Sequence, residues 1–91
     1  MIEVPRVRVI DSPTALALLL GELRLAVEAG VLTQLGPDAT ASAVHVDVFD
    51  VPERGPWPDY VEMRFCSRED QTRYLLSVET FHGAGGAWSR E

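Results

Sequence analysis

Arg73-Tyr74-Leu75-Leu76-Ser77-Val78-Glu79-Thr80-Phe81-His82, running on into Gly83-Ala84-Gly85-Gly86-Ala87-Trp88, decides the reading of this chain. Tyr74, Leu76 and Val78 alternate with Leu75, Ser77, Glu79 and Phe81, the period of two that marks a half-buried strand. Aromatic and β-branched residues suit such a pleated surface. After His82 the alternation stops. Glycines at 83, 85 and 86 give no side chain to pack and carry the highest backbone entropy cost, so the expectation is that the strand ends there. The cluster then reads as a tight reversal that returns Trp88 against the sheet. The sharper alternative is a loop of exposed amide N–H groups holding an anion or a carbonyl. No Gly-Lys-Ser/Thr follows it, so the phosphate-loop signature is absent.

Working back from this stretch, Ser67 to Thr72 is polar and turns the chain. Tyr60 to Cys66 before it alternates again, with Val61, Met63 and Phe65 inward and Glu62 and Arg64 outward. Pro52 to Asp59 is a loop, with prolines at 52, 56 and 58 around Trp57. Val44, Val46 and Val48 alternate with His45, Asp47 and Phe49, which predicts another strand. Residues 32 to 42 read as a connection, because Gly36-Pro37-Asp38 is turn chemistry.

The first third supplies the helix. Val4 to Ile10 reads as a first strand, with Val7 and Val9 alternating with Arg6 and Arg8; Pro5 lacks an N–H and so belongs on an edge strand or at a strand start. Ser12 is placed to cap a helix with Pro13 at its first position. Gly30 is the expected left-handed residue after its end near Ala29. At ~100° per residue, Leu16, Leu19, Leu20, Leu23, Ala26 and Val27 share one face. Burying the four leucines contributes roughly 6–12 kcal/mol before entropy, comparable to a small domain's whole stability, so this face is core. Arg24 and Glu28 are expected on the opposite, solvated side. Leu18 and Leu25 do not fit the core face. Either a neighbouring segment covers them or they form a homodimer or partner contact. The element order is β-α-β-β-β: an α+β domain of two layers, an antiparallel sheet of three to four strands with one main helix on one face.

Bulk properties narrow the class. Ninety-one residues suffice for one small domain with one core. No apolar run approaches ~18 residues, and no basic, apolar and cleavage segments follow one another at the start, so neither a membrane span nor a signal peptide is expected. A single cysteine, Cys66, excludes an internal disulfide and a cysteine-based structural zinc site. Together these favour the cytoplasm. All eight basic residues are arginine, which with abundant Ala, Gly and Val reads as GC-rich bacterial coding. A net charge of −6 argues against nucleic acid or an anionic membrane and suits a basic protein partner.

Three groupings could carry chemistry or binding. With simple hairpins, Asp47 lies opposite Arg64, His45 opposite Cys66 and Glu62 opposite Ser77. The outer sheet face then carries Arg6, Arg8, His45, Asp47, Glu62, Arg64, Ser77 and Glu79. Cross-strand charge pairing on a solvated face explains this set. A metal held by His45, Asp47 and Glu62 is one rival, weakened by the arginines beside it. A Cys66 thiol activated by His45 is another. Hydrolase, metalloprotease and dinucleotide-binding signatures are absent, and no cofactor is implied. The third grouping is the end of the sheet where Trp57, His82, Gly85, Gly86 and Trp88 converge. Both tryptophans sit on loops a scaffold could present, and tryptophan is a favoured hot-spot residue. The bland reading is that they plug the end of a small core. The sequence therefore points to a non-enzymatic protein-binding module, of inhibitor or immunity type, over a small enzyme or metal-binding protein.

Overall fold

A computed structural model describes residues 2–36, 47–52, 55–80, 83 and 85–91. Its elements in chain order are β1 (Arg8–Ile10), α1 (Pro13–Glu28), β2 (Leu32–Leu35), β3 (Tyr60–Ser67), β4 (Arg73–Glu79) and β5 (Gly85–Arg90). The five strands form one sheet in the order β1-β5-β4-β3-β2, antiparallel throughout. The fold is α+β, with one helix on the sheet.

The helix starts and stops where its sequence dictates. Ser12 is extended at the N-cap and its side chain accepts from Ala15 N at 3.1 Å, with Pro13 following. Gly30 has φ of 77°, and Val31 N closes back onto Ala26 O at 2.9 Å. Because β1 and β2 are opposite edges of the sheet, α1 must carry the chain across its full width. Sixteen helical residues span about 24 Å, against about 19 Å for four inter-strand spacings, so the helix is long enough to cover every strand. Leu16, Leu19, Leu20, Leu23 and Ala26 are buried on that side.

The β3–β4 hairpin is the centre of the sheet. Cys66 pairs with Arg73 and Glu62 with Ser77, the register of a simple hairpin. Val61, Met63 and Phe65, with Tyr74, Leu76 and Val78, face the helix and are buried. Val48 and Val51 close the core from a turn, not from a strand. Asp50 N bonds Asp47 O at 3.0 Å, and the Asp47 carboxylate takes Phe49 N at 2.8 Å. That local side-chain bond competes with strand pairing at this point. Residues 44–46 lie outside the described residues. Arg24, expected in solvent, is half-buried and holds this turn: its Nε donates to Val48 O at 3.0 Å and its Nη2 to Val51 O.

Two further expectations are corrected. Leu32–Leu35 is a strand, not part of a connection. It is a short edge in which Leu32 faces the core and Leu35 the outer side, so no apolar alternation advertises it. Gln34 occupies an inward position because its Oε1 accepts from Val48 N at 2.8 Å. The chain does reverse after β4 and return Trp88 against the sheet, but the return is itself a strand: Gly85 and Gly86 begin β5, which is inserted between β1 and β4. Gly85 has φ of 77°, and a Cβ there would fall 2.3 Å from Ile10 O; at Gly86 it would fall 1.8 Å from Ser77 O. Only glycine lets the three backbones approach this closely.

Candidate binding site

Trp88 is fully buried, at 0 % exposure. It stacks on Tyr74 at 5.2 Å between ring centroids and meets Phe65 edge-on at 5.6 Å. Its Nε1 donates to Pro5 O at 2.9 Å, which satisfies its one polar atom. Trp88 therefore plugs the core and cannot touch a partner. Gly86, paired with Val78 and Ile10, is a backbone crossing point. His82 lies outside the described residues.

Trp57 and Gly85 do meet, around a pocket of about 80 Å³ at the end of the sheet. Trp57 forms one wall, its Nε1 held by Pro52 O at 2.6 Å and its ring packed partly against the core. Ile10, Pro13 and Val78 make the apolar floor, and Thr80, Gly83 and Gly85 stand on the rim. Among the described residues its charged lining is Asp11 and Glu79, both acidic. Thr80 ties the rim down: its N donates to Asp59 O at 2.8 Å and its Oγ1 to Pro58 O. Because the pocket lies at the start of α1, Ser12 and Pro13 also line it. The sequence missed Asp11 and Thr80. Thr80 stands opposite Asp59, one step beyond the Tyr60–Glu79 pair of the β3–β4 hairpin, and the β1–β5 and β4–β5 pairings bring Asp11 to the same end of the sheet.

The other groupings separate. Thr33, not residue 45, lies opposite Cys66, and Leu35, not Asp47, lies opposite Arg64. β2 occupies the position that Val44–Val48 was expected to fill. His45 lies outside the described residues. Asp47 belongs to the turn whose Val48 closes the core on the helix side, whereas Glu62 is on the outer face opposite Ser77. The two carboxylates therefore do not converge. Glu62 instead pairs with Arg64 at 3.3 Å, and Arg64 also pairs with Glu91. Among the described residues no group of three or more His, Cys, Asp or Glu is placed to hold a metal ion. The Cys66 thiol lies 3.6 Å from Ser67 O and 3.7 Å from Gln71 Oε1, neither of which is a base able to take its proton. Arg8 faces the helix side of the sheet, opposite Trp88, and pairs with Glu22. Arg6 precedes the first strand.

Backbone and side-chain hydrogen bonds from Thr72 hold the Asp70 carboxyl below its ordinary range. It stands in the β3–β4 turn, at the opposite end of that hairpin from the pocket, and has no part in it. No helix among the described residues is long and apolar enough to cross a membrane. Comparisons with protein-family models, with curated proteins and with solved structures find no match.

Proposed function

We propose that this domain is a non-enzymatic interaction module, of inhibitor or immunity type, that binds a basic partner protein at the Trp57 pocket and takes one arginine or lysine side chain of that partner into it. The observation carrying this reading is the lining itself: an indole and apolar side chains, with Asp11 and Glu79 as the charged groups among the described residues. A guanidinium or ammonium over an indole gains about 0.5–2 kcal/mol, more as it is desolvated. Size also favours one side chain. Pockets for drug-sized ligands run to roughly 300–1,000 Å³, whereas this one holds about 80 Å³. A net charge of −6 would steer a basic partner toward the domain and speed its encounter.

The test compares wild type with an Asp11→Arg/Glu79→Arg variant as bait in a host lysate, after circular dichroism and thermal melting establish that both are folded. The expected result is a basic protein retained by wild type, weakened by salt and lost from the variant. Retention that ignores both the charge reversal and the salt would overturn the reading, as would no retention at all.

A further inference from the structure

Leu18 and Leu25 are 65 % and 53 % exposed, yet they are large aliphatic side chains on a helix whose buried face is already complete. At ~100° per residue they lie within about 20° of one another and about 140–160° from the centre of the buried face. Among the described residues no segment covers them. Between them stand Gly21 and Glu22, giving the spacing Leu18-x-x-Gly21-Glu22-x-x-Leu25. Turned end for end, this stripe exchanges its two leucines and sets Gly21 against Glu22. A two-fold contact requires one patch to be complementary to itself, and the stripe meets that requirement when two helices run antiparallel, the partner's Glu22 falling over the missing side chain of Gly21. Leu18 of one copy then meets Leu25 of the other, twice. Gly21, which weakens an isolated helix relative to alanine, falls at the crossing point, where a missing side chain lets two helices approach.

The surroundings select a second copy over another kind of partner. A groove beside Leu25 is bounded by Ile2 and Val4 of the N-terminal segment, and Ile2 is 42 % exposed. The charges lining it are Glu3, Arg6, Arg8 and Glu22, two of each sign. The chain as a whole carries −6, so two copies repel through most of their surfaces. Here the local balance is zero, and the Arg8–Glu22 pair already neutralises the centre of the patch. A basic partner gains nothing from the charges local to this surface, whereas a second copy docking here adds no contact between like charges in excess to the general repulsion of the two chains. We infer that the outward face of α1 is a homodimer contact in which two helices pair antiparallel through Leu18 and Leu25, each Leu18 seated against the partner's Leu25 beside the Ile2–Val4 groove. Such a helix pair is small beside the roughly 1,200–2,000 Å² of a standard interface, so the dimer is weak and concentration-dependent.

The experiment is sedimentation up to near-millimolar concentration combined with cysteine cross-linking in a Cys66→Ser background. Wild type should show a monomer–dimer equilibrium, and Leu18→Glu should weaken it at least tenfold with an unchanged circular dichroism spectrum, because the position is exposed. Under oxidation, a mixture of Leu18→Cys and Leu25→Cys chains should form the mixed disulfide. Each variant alone should not, since antiparallel pairing displaces identical positions by about 10 Å along the helix, beyond the Cα separation of up to about 7 Å that a disulfide bridges. A monomer at every concentration would overturn the proposal. So would cross-linking of either single variant with itself in preference to the mixture, which would mean a parallel contact, or a dimer indifferent to Leu18→Glu.

Discussion

The two tryptophans differ in what surrounds them more than in what precedes or follows them. Each sits beside glycine or proline in the sequence, outside any clear alternation. Trp88 is enclosed on every side and bonded to Pro5 O. Trp57 keeps one face at the rim of a small acidic pocket. Neighbouring turn residues therefore do not distinguish a presented aromatic from a core plug. The distinction is whether the backbone beside it is inserted between other strands. Gly85 and Gly86 are not loop residues freeing Trp88 from the sheet. They are the reason β5 can be squeezed between β1 and β4 and deliver Trp88 inward.

The largest test of this contrast is Trp88→Ala. Removing a fully buried indole costs about 3–5 kcal/mol, and a domain this small has little more than about 5 kcal/mol in total. Urea titration should find the variant largely unfolded; a variant that keeps most of its unfolding free energy would mean that Trp88 is not the centre of the core. Gly86→Ala should come next, at about 1–3 kcal/mol, because its Cβ has no room beside Ser77 O. Its signature is a shifted urea midpoint with intact folding at low denaturant, and a neutral effect would mean the β4–β5 approach is looser than described. Trp57→Phe should be the mildest, within about 1 kcal/mol. The same variant leaves Trp88 as the only indole, so fluorescence should move to the blue and resist acrylamide. An easily quenched residual emission would reverse the assignment of the two residues.

The central hairpin and the helix were legible in the sequence because each carries its signal locally. Tyr74, Leu76 and Val78 announce a strand by alternation; Ser12, Pro13 and Gly30 announce a helix by its ends. Leu32–Leu35 carried no such signal, since Gln34 points inward to bond Val48 N and Leu35 points outward. Arg24 was misplaced for a related reason: its carbonyl partners belong to a turn 24 and 27 residues away. For the site, Trp57 and Gly85 could be named, but Asp11 and Thr80 could not. Asp11 reaches the site through the β1–β5 and β4–β5 pairings, which no short window of sequence contains, whereas Thr80 is carried there by the legible β3–β4 hairpin and its type gave no signal.

β1 has β5 as its one neighbour in the sheet, and the bond from Trp88 to Pro5 joins residues 83 apart. During synthesis the chain emerges from its N-terminal side. The first strand must therefore wait, unpaired, until residues 85–90 have been made, whereas the leucine face of α1 can pack earlier on the β3–β4 hairpin. β5 is the closing piece of the fold. The interval before it arrives is when the chain is most exposed to aggregation and to chaperones.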